Sequence, residues 1–277
     1  MKYLAAELKK FANFVIERHA VYERKTRGEP WPWTKDPVLQ EYRFCNVYRN
    51  LDKQTLLIHG KWLDNNSDQD VWFAMVVARL VNWWPSLEEI GYPVPWNPKK
   101  FVKAMDGRKA RGEKVFTGAY MIHADASHGG SKAQYLAEGV LTPMWKRRAE
   151  LRPQPGDTLD AFHKRLMTCR DMGSFMAGQV VADVKYALGH LEEADDWHTW
   201  ATSGPGSMKG LNYVLGIDPK NPWTEAGWRA AFAEFQVAVA PYLKTLPRIS
   251  GQDLQNCLCE YSKWRRGTSR SKYRPTT

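Results

Sequence analysis

No stretch of this sequence approaches the run of about 18 apolar residues that a membrane-spanning helix needs. The opening segment MKYLAAELKKFANFVIERHA also lacks a continuous apolar stretch of signal-peptide type, so the chain is expected to be cytoplasmic, with no membrane partner. Cysteine is scarce. The four present, Cys45, Cys169, Cys257 and Cys259, show no framework spacing, and the C-x-C pair has no nearby histidines. That argues against a disulfide scaffold and against zinc, and reduced thiols are expected. No G-x-x-x-x-G-K-[ST] loop occurs, so the sequence gives no support for nucleotide kinase activity. Strand signals are nearly absent, KVFTGAYMI being the one plausible short β segment. Acidic residues are in deficit, 30 against 40 basic, for a net charge of +10. This balance favours a polyanionic partner.

What is present reads as helix. The 277 residues are 43% apolar, enough for a packed core. The spacing of Leu4, Leu8, Phe11 and Val15 predicts an amphipathic helix over 2–24, and TRGEPWPWTKDP then breaks it before a helix from Pro37. A capping box at Ser67 to Asp70 opens a helix through VWFAMVVARLVNWW as far as Pro85. Further helices are predicted over 97–107, 131–140, 143–151, 158–170, 174–189, 224–244 and 250–265. The fold class is therefore mostly α: one helical domain over 1–264, of one lobe or two about a central cleft, and a basic flexible tail over 265–277.

Several segments carry candidate chemistry. Taken as helix, YRFCNVYRNLDKQT places Arg43, Asn46, Arg49, Asn50 and Lys53 on one side and Phe44, Val47, Tyr48 and Leu51 on the other. That polar stripe is either a solvated face or a phosphate track beside a base-reading asparagine. Residues 161–200 read as helix, tight turn at Asp171 to Ser174, and second helix. Such a helix-hairpin-helix offers backbone N–H groups at Gly173 and Ser174 to a DNA phosphate. Asp195 and Asp196 follow about one helix later, at a spacing similar to that of helix-hairpin-helix DNA glycosylases. There a carboxylate supports the sugar cation as the base leaves; a solvated acidic turn is the other reading. TSGPGSMKGLN, with Gly204, Gly206 and Lys209, is either a phosphate-approaching turn or an ordinary helix connection. GAYMIHADASHGGSK gathers Tyr120, His123, Asp125, His128 and Lys132. Its lysine could contact phosphate or attack a sugar, while its two histidines suit the surface better than a metal site. Glu260 and Lys263 lie three apart on a predicted helix, a spacing that a purely local ion pair would also explain.

Together PWTKDPVLQEYRFCNVYRNLD, VFTGAYMI, GSFMAGQVVADVKY, GPGSMKGLN and CEYSKW resemble the alpha-glutamyl/putrescinyl thymine pyrophosphorylase family and the related helical domain found with hydroxymethyluracil DNA kinases. The resemblance runs from about residue 30 to 264 and places Asn46, Arg49, Asp52, Asp183, Glu260 and Lys263 on motif positions. It implies a DNA glycosylase-like, helix-hairpin-helix fold and action on hypermodified pyrimidines of phage DNA. The first expectation is a DNA glycosylase that flips out a hydroxymethylated or glucosylated pyrimidine and excises it, leaving abasic sites, in anti-phage defence. The alternative is a transferase adding an amino acid or polyamine to pyrophosphorylated hydroxymethyluracil; a third is a binding module for modified bases. Asp195 and Asp196 are the leading catalytic candidates, with Asp52, Asp183 and Lys132 behind them. Asn46, Tyr120 and Trp33 are expected to recognise the base. Arg43, Arg49, Lys53, Gly173, Ser174, Gly204, Gly206, Lys209 and Lys263 are expected on DNA. The expected partner is double-stranded DNA carrying modified bases, with no cofactor and no metal.

Overall fold

Leu8, Phe11, Phe14 and Val15 are buried along one face of α1, which spans Ala5–Thr26. It ends where Gly28 takes a left-handed φ of 74°. α2 (Pro37–Glu41) starts where Asp36 accepts from the N–H groups of Val38 and Leu39, both at 2.9 Å, with Pro37 preset at the first helical position. The computed structural model describes residues 3–66, 68–117, 130–269 and 271–273.

The segment 42–55 is not the single helix its wheel suggests. Tyr42–Arg43 form a short strand, β1; an irregular loop follows, then a tight turn at Arg49–Leu51, and α3 begins at Lys53–Ile58. Side chains outcompete the helical ladder here. Asp52 takes the Asn46 N–H at 3.0 Å, and the Asn46 amide donates to the Leu51 carbonyl at 2.8 Å. Val47 is fully buried and pins the loop. The cationic helix face therefore does not exist, although its residues survive as a loop.

The chain divides into two compact units, 53–197 and the pair 1–52 with 198–277. In the first, α3 runs on into a π-helical turn, His59–Leu63. α4 (Val71–Val81) has every residue buried and stops at Asn82, whose φ of 48° ends the helix before Pro85. Ser67 of the expected capping box lies outside the described residues. α5 (Trp84–Ile90) and α6 (Pro98–Ala110) follow, the latter capped by Asn97. Of KVFTGAYMI, residues 114–117 form no strand and the rest lies outside the described residues. Ser131 and Gln134 make a capping box for α7 (Lys132–Gln134), which continues as a π-helical segment over Tyr135–Leu141. α8 (Thr142–Lys146), α9 (Arg148–Leu151), α10 (Leu159–Leu166) and α11 (Ser174–Val184) complete the unit. α11 packs on both α4 and α10, and Asp171 turns the chain between α10 and α11 with φ 60°.

The second unit is completed by α12 (Pro205–Leu215), α13 (Glu225–Val239) and α14 (Gly251–Trp264). α12 is the glycine-rich segment expected as a turn. Its glycines serve packing: a Cβ on Gly210 would lie 2.1 Å from the Leu258 carbonyl oxygen. α12 and α14 thus meet backbone to backbone, around a core of Phe11, Trp228, Phe235 and Tyr261. Part of the basic tail, Ser271–Lys272, is β2, paired antiparallel with β1 through Tyr42↔Lys272 and Arg43↔Ser271. Among the described residues no helix is long and apolar enough to cross a membrane.

Candidate functional site

The 44–52 loop is tied to α14 at several points. The Cys45 N–H donates to Glu260 at 3.4 Å, and the Arg49 N–H to Asp253 at 3.0 Å. The Asn256 amide reaches the Asn46 carbonyl at 3.5 Å. Ser250 caps α14, which fixes the register that aims Glu260 and Lys263 at the loop. Glu260 is buried and ion-paired with Lys263. Four residues on the motif positions, Asn46, Asp52, Glu260 and Lys263, therefore share one neighbourhood, although more than 200 residues separate the two segments. Asn46 holds the loop together with its amide nitrogen, and the Arg49 backbone N–H links the loop to α14.

Electrostatics set this neighbourhood apart. Burial raises the Asp52 carboxyl above its ordinary range, against the opposing pull of the Asn46 N–H, Arg49 and Arg18. Burial pulls Lys263 down, but Glu260 together with Cys259 and Cys45 outweighs it and holds the ammonium above its usual range. Cys45 is exposed to solvent, yet surrounding protein pushes its thiol well up, with Glu260 and Asp52 adding to the effect. The same cluster contains Arg18 of α1, which is 4% exposed and donates to the Cys257 sulfur at 3.0 Å.

The other unit holds a second buried constellation. Asp183 of α11 is fully buried and takes Arg79 on both oxygens, Nε on one and Nη2 at 2.6 Å on the other. His59 Nε2 lies 3.1 Å from the same carboxylate. Arg79 also donates to Asn82 at 3.2 Å and Thr55 at 3.1 Å. Lys185, buried, sits 4.1 Å over the Trp197 ring. A carboxylate gripped on both oxygens and touching a histidine is a fixed orienting group, able to set the tautomer of that histidine.

The remaining sequence candidates are placed differently. Asp196 is occupied in capping α10, accepting from the Leu159 N–H at 2.7 Å and the Asp160 N–H at 3.0 Å, and Asp195 is exposed. That structural duty accounts for the carboxylate at 196 without any sugar cation. Lys132 is half-buried over Phe116 at 4.3 Å, and burial lowers its pKa. Trp33 donates to the Glu29 carbonyl at 2.7 Å, meets Tyr273 edge-on and borders a pocket of about 620 Å³ that Arg24, Lys35 and Gln40 also line. Arg43 is exposed, its guanidinium 5.2 Å over the Tyr273 ring; Lys53, Gly173 and Lys209 are exposed, and Ser174 is half-buried. Gly204 lends its N–H to Ser207 at 3.0 Å, and a Cβ on Gly206 would run into Cys259, so both glycines have local structural work. Tyr120 lies outside the described residues. Sequence reading missed Arg18, His59 and Arg79. Two carried a signal: Arg79 is the only charge in VWFAMVVARLV, and Arg18 continues the apolar spacing of Leu8, Phe11 and Val15.

A mostly helical, basic chain with clustered buried polar groups fits a nucleic-acid-modifying protein. The comparisons name the family. The model of the helical domain of 5-hmdU DNA kinases matches residues 6–273, so the chain belongs to that family. A protein of Bacillus phage SP10 named 5-hmdU DNA kinase is 29% identical over 232 residues, covering 74% of this chain and 35% of that protein. The chain thus spans about a third of the length of this curated relative. No solved structure matches significantly. These findings overturn the expectation of a DNA glycosylase: kinases are group-transfer enzymes, whereas base excision is hydrolysis. The hydrolase assignment, the abasic product and the defence role resting on excision fall with it.

Proposed function

We infer that this chain is a transferase module that modifies the 5-hydroxymethyl group of hydroxymethyluracil within DNA, leaving the base attached to its sugar. The observation that carries the reading is the family match over residues 6–273, together with the convergence of Asn46, Asp52, Glu260 and Lys263 in one neighbourhood. In the form we favour, the hydroxymethyl oxygen already bears a pyrophosphate. An amine of an amino acid or polyamine attacks the exocyclic methylene carbon. The carbon–oxygen bond breaks with its electron pair leaving on pyrophosphate, and the new ammonium surrenders a proton. Asp52, whose carboxyl burial raises above the ordinary carboxylate range, suits that proton transfer. In the unit that holds this loop, exposed Arg43 and Lys209 supply phosphate contacts that position the strand without reading it.

The name of the phage relative favours a second form, phosphoryl transfer to the hydroxymethyl oxygen itself. The lack of a Walker A loop in this sequence weighs against that step residing here. Two defined substrates separate the forms: hydroxymethyluracil DNA with a nucleoside triphosphate, and DNA carrying the pyrophosphorylated base with amines. Mass analysis of the nucleosides after digestion is expected to show an amine adduct from the second substrate. Phosphate gained on the first alone would favour the kinase form, and unaltered nucleosides from both would reject the reading.

A further inference from the structure

Arg18 is the least accounted-for charge in the unit formed by 1–52 and 198–277. It sits on α1 facing the core, 4% exposed. Its Nη2 donates to the Cys257 sulfur at 3.0 Å, a weak acceptor, and its guanidinium lies 5.2 Å from the Phe14 ring centre. Among the described residues, its Nε and Nη1 have no acceptor, and no carboxylate stands within 4 Å of it. Burying a guanidinium without an ion pair is strongly unfavourable, and arginine keeps its proton, so the usual escape by neutralisation is closed. Such a group is retained where something outside the fold completes it.

The surroundings say what that partner is. The bond from Arg18 to Cys257 sets its guanidinium against α14, next to Asn256, whose amide reaches the Asn46 carbonyl of the loop at 3.5 Å, and its charge acts on Asp52 there. The neighbouring cation Lys263 is ion-paired with Glu260, whereas Arg18 has no carboxylate within 4 Å among the described residues. We propose that Arg18 is the oxyanion-binding residue beside the 44–52 loop and α14, its Nε and Nη1 donating to oxygens of a phosphate or pyrophosphate group. Guanidinium suits this ligand because its planar N–H groups match phosphate oxygens, and a desolvated setting strengthens the bond. The proposal deepens the transferase reading by naming what holds the phosphorylated end of the substrate. It rests on that reading for the choice of phosphate over other anions.

The test is binding and needs no turnover. Inorganic pyrophosphate is titrated into the full chain at fixed ionic strength by calorimetry, with sulfate as control, for wild type, Arg18→Met and Arg18→Lys. Two oligonucleotides, one carrying a phosphorylated hydroxymethyluracil and one unmodified, are compared in parallel. Wild type is expected to bind pyrophosphate, or to prefer the phosphorylated strand, by at least about tenfold over Arg18→Met, with Arg18→Lys between them. Dependence on Arg18 with free pyrophosphate identifies a leaving-group site; dependence with the phosphorylated strand alone identifies a substrate-phosphate site. Either result supports the proposal. Melting temperature supplies the second readout. Removing a buried charge without an ion-pair partner is expected to leave Arg18→Met at least as stable as wild type, and whichever ligand binds is expected to raise the melting temperature of wild type most, of Arg18→Lys less and of Arg18→Met not at all. Equal anion binding by wild type and Arg18→Met, or no preference of wild type for phosphate in either arm, overturns it. So does an Arg18→Lys protein that binds like wild type while Arg18→Met fails to fold. Pyrophosphate binding that depends on Arg18 without any modified nucleoside would instead retain the site and reject the transferase reading.

Discussion

Replacing Asp183 by Asn tests the buried constellation around Arg79 with almost no change of volume. Arg79 spends Nε on one carboxylate oxygen and Nη2, at 2.6 Å, on the other, and both residues are at most 2% exposed. An asparagine has a single acceptor oxygen, so whichever way its amide turns, one guanidinium donor faces an NH₂ group. The Thr55 and Asn82 bonds at 3.1 and 3.2 Å survive but carry no charge. Breaking a buried pair from one side strands the other charge, which costs about 3–5 kcal/mol. At about 2–4 °C per kcal/mol for a chain of this size, the melting temperature should fall by roughly 6–20 °C. Urea unfolding followed by far-ultraviolet circular dichroism gives the free energy, and the paired change Arg79→Met with Asp183→Leu should recover much of the loss. A single-variant loss below about 1 kcal/mol would refute the reasoning, because it would mean that water or a relaxed side chain compensates Arg79 freely.

Three other outcomes follow from the geometry. Gly210→Ala is expected to destabilise by about 3 kcal/mol in urea unfolding, since its Cβ would sit 2.1 Å from the Leu258 carbonyl oxygen, whereas Gly204→Ala, with its nearest neighbour at 3.7 Å, should be nearly neutral. Because burial raises the Asp52 carboxyl, its ionisation opposes folding: the penalty is absent below the unfolded pKa near 3.8, grows as pH rises through the folded value, and is full above it. Asp52→Asn should therefore be more stable than wild type at pH 7, with the gain vanishing at pH 3.5 in matched melts. Arg43→Ala should weaken DNA binding alike for all sequences and reduce the slope of log affinity against log salt by about 1, read by fluorescence anisotropy over a salt series.

Much of the helical layout is legible from periodicity and caps. α1, α6, α11 and α14 lie close to their predicted spans because apolar spacing and start signals agree there. The 42–55 segment misleads because its apolar residues fall at helical spacing by chance, while its polar ones, Asn46 and Asp52, bond backbone groups and unwind it. α12 hides for the opposite reason: glycine lowers helix propensity, but close approach to α14 demands it, and tertiary packing overrides the local preference. The motif residues near 46–52 and 260–263 are visible separately in the sequence. Their convergence is not, because it depends on how α14 returns beside the loop through Glu260 and Asp253. Arg18 and Arg79 are legible only as oddities, single charges on apolar faces, and sequence alone does not reveal that one is gripped by a carboxylate and the other lacks one.

The central claim is that chemistry occurs at the 5-hydroxymethyl group while the base stays on its sugar. DNA containing hydroxymethyluracil, in free and pyrophosphorylated forms, is incubated with the protein and candidate amines, then digested to nucleosides and analysed by liquid chromatography and mass spectrometry. The account predicts a heavier deoxynucleoside whose added mass equals the amine less water relative to hydroxymethyldeoxyuridine, with intact strands and no released base. Free modified base and alkali-labile strands, with no heavier nucleoside, would contradict it.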